Sequence, residues 1–262
     1  MVLYCHEMKL NFKNLLIWAL CVGGICFGCI LLYSSLEESM QGIADTFSDM
    51  GAMSAALGMD KMSLATLTGY YATEIAMMHG LGGAMFAAIL GSSLLSKEEA
   101  GHTSEFLNVL PIGRGSIVLW KYLALISNII VFNLICVGMY LVGFACMGET
   151  IEGKEMALYH LAVTMMQIEI GTICFMISSF VKRNLIGAGL GIAIALFAMD
   201  MMCRIIPAIE DMKYITPFYY SNASDIFTNG EIDGMMLMIG IVITLASAIV
   251  AWVWYRRKDL AS

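Results

Sequence analysis

The stretch "LLIWALCVGGICFGCILLY", residues 15–33, contains no charged side chain over 19 consecutive positions. An α-helix of about 20 residues is long enough to cross the ~30 Å hydrocarbon core of a bilayer. No small-residue cleavage site follows the stretch cleanly, so it differs from a removable signal peptide. We therefore expect it to form a first membrane-spanning helix.

The rest of the chain repeats this pattern. Apolar residues make up 60% of the 262 positions and charged residues only 13%, which leaves too few polar side chains to cover a soluble domain of this size. The long apolar runs lack the alternation of β-barrel strands, and helices satisfy their own backbone hydrogen bonds in lipid. The sequence therefore predicts an all-α integral membrane protein, with residues 1–262 forming a single domain. Its six transmembrane helices are expected at about residues 15–33, 68–95, 117–147, 157–181, 185–206 and 235–255.

The basic residues are distributed unevenly between the two sides of the expected bundle. Ten of the fourteen Lys and Arg residues lie on one side: Lys9, Lys13, Lys97, Arg114, Lys121, Lys182, Arg183, Arg256, Arg257 and Lys258. Because cytoplasmic loops carry such an excess of positive charge, the pattern predicts a cell-membrane protein with both termini in the cytoplasm. Residues 34–67 and 207–234 then lie outside. The second segment contains "YITPFYYSNASDIF", whose aromatic residues favour a helix or re-entrant piece at the outer headgroup level before the last span.

Several polar residues lie within the apolar runs. An ionisable side chain at the centre of a bilayer costs ~2.5–3.5 kcal/mol by insertion scales, so such residues usually face protein or water. Four of them are candidates for a transport pathway or for a network between helices, two alternatives that the sequence leaves open: Glu74, His79, Gln167 and Glu169. Asp200 and Arg204 are four residues apart, and we expect them to form an ion pair on one helix face.

Two of the runs carry glycines at four-residue spacing. Gly24 and Gly28 lie in the first run, and Gly187 and Gly191 lie in the fifth. Such spacing allows two helices to approach closely, either within one subunit or between two subunits.

Cysteine and methionine are abundant, but their positions favour packing over metal binding. Seven of the eight cysteines lie inside apolar runs, which indicates buried small residues rather than a disulfide framework. The pairs Met50–Met53 and Met59–Met62 have helical spacing, and thioethers select Cu(I), so copper-related transport is an alternative function. Methionine is also spread through the spans, where a flexible apolar lining explains it better. We expect no metal site.

The segment "SKEEAGHTSEFLNVLPIGRGSIVLWKYL", residues 96–123, is unusually polar for this chain. The pattern Ser-x-x-Glu over residues 96–99 predicts a capping box at the start of a short helix. Lys97, Glu98, Glu99 and Glu105 are expected to form a solvated rim around the apolar pair Phe106 and Leu107. Pro111 then ends the helix. An ordinary solvated loop is the alternative.

This segment resembles the cytoplasmic loop between spans two and three in permease subunits of type-2 ABC transporters. The resemblance is carried by Glu98, Glu99, Gly101, Thr103, Glu105, Phe106, Leu107, Pro111, Ile112, Arg114 and Lys121, whereas Asn108 and Gly113 depart from the family's pattern. The stretch "MKLNFKNLLIW", residues 8–18, is similar to the amphipathic elbow before the family's first span. Residues 214–227 resemble its external segment before the last span.

The resemblance implies a function and a set of partners. The polar loop would be a coupling helix that sits on a separate ABC ATPase subunit, through Glu98, Glu99, Glu105, Phe106, Leu107, Pro111 and Arg114. The chain itself lacks the Gly-x-x-x-x-Gly-Lys-Ser/Thr loop, a Ser-His-Asp set and an HExxH motif. It is therefore expected not to be an enzyme and to bind no cofactor, with ATP and Mg²⁺ held by the ATPase.

The remaining partners follow from the same resemblance. Spans one and five of the related permeases meet across a dimer, so a second copy or a homologous permease is expected beside the four glycines. Membrane lipid is a further partner, and nucleic acid is not. The expected function is export of an amphipathic or apolar compound, such as a peptide, antibiotic or drug. A stand-alone carrier or ion channel is the alternative, although neither would require the charged loop.

Overall fold

The computed structural model describes residues 2–48, 50–101, 113–151 and 153–258. Ten α-helices lie within these ranges: α1 (Val2–Ser48), α2 (Ala52–Leu57), α3 (Leu67–Tyr70), α4 (Ala76–Leu94), α5 (Lys97–Ala100), α6 (Arg114–Met147), α7 (Gly153–Phe180), α8 (Ile186–Ile205), α9 (Ala223–Asn229) and α10 (Gly234–Arg257). A π-helical turn, Tyr71–Ile75, joins α3 to α4, and a 3₁₀ helix, Pro207–Tyr214, follows α8.

Six helical stretches in these ranges are long and apolar enough to cross a membrane. They are Val2–Leu36, Leu67–Leu94, Arg114–Met147, Gly153–Phe180, Ile186–Ile205 and Gly234–Arg257. The prediction of an all-α integral membrane protein with six spans is therefore confirmed. We call the end of the bundle that carries α5 and Lys258 the basic end, and the end that carries α2 and α9 the distal end.

Helix α1 is much longer than the expected first span of residues 15–33. It runs without a break for 47 residues, so residues 8–18 do not form a separate elbow. No Gly or Pro interrupts residues 2–22. Its N-terminal part is also held along α6, since the Tyr4 hydroxyl donates a hydrogen bond to Ser127 Oγ at 3.0 Å.

At the distal end, the segment after α8 turns back into the bundle, which agrees with the predicted re-entrant piece and not with a helix at the headgroup level. Phe218, Tyr220 and Phe227 are buried among the spans. Thr216 Oγ1 donates a hydrogen bond to the Leu196 carbonyl at 2.9 Å, which fixes the turn against α8. Burial removes the large apolar area of these aromatic rings from water. This favours a segment packed between the spans over one that lies at the headgroup level.

Candidate functional site: an ion-pair network at the basic end

A buried lysine organises one half of the basic end. Lys121, in the second turn of α6, is fully buried. Its ammonium group lies 3.1 Å from a carboxylate oxygen of Glu7 in α1 and also pairs with Glu98 in α5. It donates a further hydrogen bond to the Leu94 carbonyl at the end of α4, at 2.6 Å. Glu7 in turn pairs with Lys97, so ion pairs join α1, α5 and α6, and the hydrogen bond to Leu94 adds α4.

A second group of contacts connects the same short helix to the C-terminal part of the chain. Lys258, which follows α10, donates hydrogen bonds from its ammonium group to Glu99 Oε1 at 2.8 Å and to the Val181 carbonyl at 3.1 Å. Arg114, the first residue of α6, donates to the Lys258 carbonyl at 2.7 Å. Helix α5 is therefore bonded to the ends of several spans.

These contacts differ from the expected solvated rim. The side chain of Glu99 is 4% exposed and that of Glu98 is 12% exposed. Each lies within reach of a basic residue, and a buried charge is tolerated when it is paired and hydrogen-bonded. The predicted capping box is wrong, because the Ser96 hydroxyl donates to the Ser92 carbonyl and does not cap α5.

Four other predicted coupling residues, Glu105, Phe106, Leu107 and Pro111, lie outside the described residues. Arg114 and the two described glutamates lie at the same end of the bundle, as expected. Sequence reasoning missed Glu7, which pairs with Lys97 and Lys121 in the same network. The sequence shows an acidic residue before the first span and a lysine early in the third. It does not show that α1 packs on α6, and the ion pair between these residues depends on that packing.

A polar network fills the middle of the bundle and joins two of the predicted intramembrane residues. His79 is fully buried in α4; its Nδ1 lies 2.9 Å from the Tyr140 hydroxyl and its Nε2 lies 2.9 Å from Asn133 Oδ1. Asn133 also donates a hydrogen bond to Gln167 Oε1 at 2.6 Å. Polar side chains from α4, α6 and α7 are thus hydrogen-bonded to one another inside the bundle.

Sequence reasoning did not single out a second histidine beside this network. The ring centroids of His79 and His160 are 5.2 Å apart, and His160 Nε2 lies 2.7 Å from the Tyr71 hydroxyl in the π-helical turn. These residues, like Asn133, are polar positions inside apolar runs, and that was the available signal. The arrangement is a set of hydrogen bonds between helices.

The other two predicted residues lie elsewhere. Glu169, in α7, accepts a hydrogen bond from the Tyr220 hydroxyl at 3.0 Å and lies against Gly240 of α10. It therefore connects the inserted distal segment to the fourth and last spans. Glu74 is half-buried in the π-helical turn and joins neither Glu169 nor the histidine network.

The expected ion pair of Asp200 and Arg204 is confirmed and belongs to a longer chain of charges. Arg204 Nε lies 3.1 Å from Asp200 Oδ2, and Arg204 Nη1 lies 2.9 Å from Asp225 Oδ2, which also pairs with Lys61. Burial alone would raise the pKa of Asp225, but the charges of Arg204 and Lys61 outweigh burial and hold that pKa below its usual range. The chain of charges ties the segment before α3 to α8 and α9.

A small cavity of about 50 Å³ lies beneath these charges. Its wall is mostly apolar, with Thr73, Asp200 and Ser221 among the polar groups. That volume accommodates a few water molecules and is too small for a drug-sized compound.

The four predicted interface glycines differ in how much free space surrounds them. A side chain at Gly28, Gly187 or Gly191 would meet no atom within 4 Å, whereas one at Gly24 would lie 3.9 Å from Met139 of the same chain. Packing of α8 within the subunit instead uses Gly189, against Ser92 of α4. These positions leave Gly187 and Gly191 accessible to another molecule.

The two methionine pairs lie in different surroundings. Met50 and Met53 are half exposed, whereas Met59 is buried and Met62 packs against the core. Within the described ranges, no group of three or more His, Cys, Asp or Glu side chains is arranged to hold a metal ion.

The six spans, the buried charges and the inserted distal segment define a multi-pass helical membrane protein. The family model described as "ABC-2 family transporter protein" matches residues 1–260. The chain belongs to the ABC-2 transporter family and is a membrane-spanning component of transport. No curated protein matches it with significant similarity.

Proposed function

We propose that this chain is the permease subunit of an ATP-driven exporter, and that a separate ABC ATPase docks on the 96–115 loop. The observation that carries the proposal is the attachment of α5 to the spans by buried charges. Lys121 joins Glu98 to Glu7 of α1, and Lys258 joins Glu99 to the end of α10. Displacing α5, held in this way, must either move the helices beneath it or break these ion pairs.

Two groups of residues divide the work in this proposal. Glu98, Glu99 and Arg114 are positioning residues, because their charges are directed into the chain. Phe106, Leu107, Glu105 and Pro111 are the residues that contact the ATPase in this proposal. Nucleotide and Mg²⁺ are held by that partner, which supplies the hydrolysis. The basic end then faces the cytoplasm, and both termini lie on that side of the cell membrane.

The transporter is a dimer of permease chains in this proposal, either two copies or this chain with a homologous one. The support is the open face of α8 at Gly187 and Gly191, where a second helix can approach closely. The transported compound is amphipathic or apolar and is exported, since the apolar spans offer it a route continuous with the bilayer.

Phe106→Asp combined with Leu107→Asp tests the docking surface. We expect the double variant to insert normally, since its six spans are unchanged, but to lose the co-purifying ATPase and ATP-dependent export. Burying one large apolar side chain contributes ~1.5–3 kcal/mol, so two such changes are sufficient to release a partner. Ser116→Asp is the control, because it adds charge at an exposed position of the same end. An intact complex with normal export in the double variant would contradict the docking proposal.

A further inference from the structure

Glu74 is a carboxylate inside an apolar span, and no residue in the described part of the chain neutralises it. It lies roughly 10 Å along the helix from Leu67, at 1.5 Å per residue, and is half-buried. It forms neither an ion pair nor a hydrogen bond with any residue in the described ranges. An unpaired carboxylate at this depth is costly in hydrocarbon, so such groups usually meet water or a cation.

The neighbours of the second span define the side on which Glu74 lies. On one flank, Cys26 of α1 donates from its thiol to the Ile75 carbonyl at 3.8 Å. On another flank, near Glu74, Thr73 and Met77 line the small cavity together with Phe197 and Asp200 of α8. The remaining contacts with α6 and α7 cover the opposite side, through His79 and its network. One strip of the span is therefore left open between α1 and α8.

Glu74 is the charged residue of this strip. Met78 is 36% exposed, and Leu81, Met85 and Ile89 are partly exposed at the following helical turns. Helical spacing aligns these side chains on one face. The strip is thus a flexible apolar surface with a single negative charge near its distal end, and methionine side chains adapt to ligands of different shape.

The surrounding sequence contains few positively charged residues. Between Lys13 and Lys97 the chain contains only one Lys or Arg residue, Lys61, and that residue pairs with Asp225. The part of the chain from residue 34 to residue 60, which continues beyond the distal end of the first span, contains five acidic residues: Glu37, Glu38, Asp45, Asp49 and Asp60. Lys61 is therefore engaged elsewhere, and the unpaired carboxylate of Glu74 attracts positive charge.

We propose that the open strip around Glu74 binds the positively charged group of an amphipathic, cationic transport substrate. The carboxylate neutralises the cation, and Met78, Leu81 and Met85 contact the apolar part. The inference rests on the proposed transport function and specifies its substrate class.

The test uses two ions of nearly the same size and shape but opposite charge, tetraphenylphosphonium and tetraphenylborate. Binding of each to the full chain in lipid nanodiscs is measured, with the signal of empty nanodiscs subtracted. We expect saturable binding of the cation to the unaltered chain and about tenfold weaker binding to Glu74→Gln, because the charge is lost at constant shape. Glu74→Asp should keep a preference for the cation, and Glu74→Lys should reverse the preference toward tetraphenylborate.

Glu149→Gln provides the matched control, since it removes one negative charge from an exposed loop at the distal end. Its cation binding should equal that of the unaltered chain. Equal cation binding by the unaltered chain and Glu74→Gln would overturn the proposal, as would a Glu74→Lys variant without reversed preference. Loss of crosslinking between copies in Glu74→Gln, with unchanged cation binding, would assign the strip to a second copy instead. The measurement needs neither ATP nor an ATPase. A negative binding result would therefore contradict the cation site without contradicting the proposed transport function.

Discussion

Lys258 Nζ lies 2.8 Å from Glu99 Oε1, which joins two residues separated by 159 positions in the chain. Both side chains are buried, at 8% and 4% exposure. The last span and the loop before the third span are therefore held together at the basic end by one ion pair. Any movement of α5 must either carry the end of α10 with it or break this contact.

Removing one partner of this pair should destabilise the protein. Glu99→Gln leaves the ammonium group of Lys258 buried without its counter-charge, which costs about 3 kcal/mol in comparable buried pairs. Thermal unfolding of the purified protein would show the loss, and combining Glu99→Gln with Lys258→Met should recover most of it. Glu210→Gln is the control, because its pair with Lys213 is largely exposed and contributes little. An unchanged unfolding temperature in Glu99→Gln would mean that the pair does not hold the loop.

The distal chain of charges predicts a dependence of stability on pH. The folded protein lowers the pKa of Asp225, so folding favours the ionised carboxylate. This contribution to the free energy of unfolding is fully present at pH values above the usual pKa of an aspartic acid. It is lost as the pH falls below about 4. Comparing unfolding temperatures at neutral and acidic pH, we expect Asp225→Asn to lose less on acidification than the unaltered chain. Asp211→Asn, at an exposed position, should behave like the unaltered chain; equal acid sensitivity of all three would refute the role of Asp225.

The glycines of α8 should separate folding from assembly. A side chain at Gly189 would come within 2.0 Å of Ser92 Oγ, so Gly189→Leu should lower the unfolding temperature of the single chain. Gly187→Leu with Gly191→Leu meets no atom of the same chain and should spare folding. Because added bulk prevents close approach of a second helix, we expect this double variant to reduce crosslinking between copies. Crosslinking at the unaltered level would show that α8 is not the interface.

The proposed orientation can be checked with single cysteines in a cysteine-free background. Cysteine at position 183 or 257, both exposed at the basic end, should be protected from a membrane-impermeant reagent in intact cells. Cysteine at position 149 or 231, both exposed at the distal end, should react. Ten basic residues on one side favour this result. Labelling of position 183 from outside would reverse the orientation and remove the coupling role.

The sequence by itself determined the class of fold. Six spans follow from apolar length alone, since hydrophobicity and helical propensity are properties of contiguous residues. The pair Asp200–Arg204 was predictable for the same reason, because residues four apart on a helix are neighbours wherever the helix lies. The polar loop before the third span was also recognisable from the order of its residues.

Only the tertiary structure decided which distant residues meet. Glu98 and Glu99 were expected in water because each is a charged residue in a polar stretch. In the structure both side chains are mostly buried, and they pair with Lys121 and Lys258. The four predicted intramembrane residues separated into three places, since His79 and Gln167 share Asn133, Glu169 meets Tyr220, and Glu74 remains on an open face. A buried polar group is stable only beside its partner, and that partner is set by how whole helices pack, a relation between distant parts of the chain that no local pattern contains.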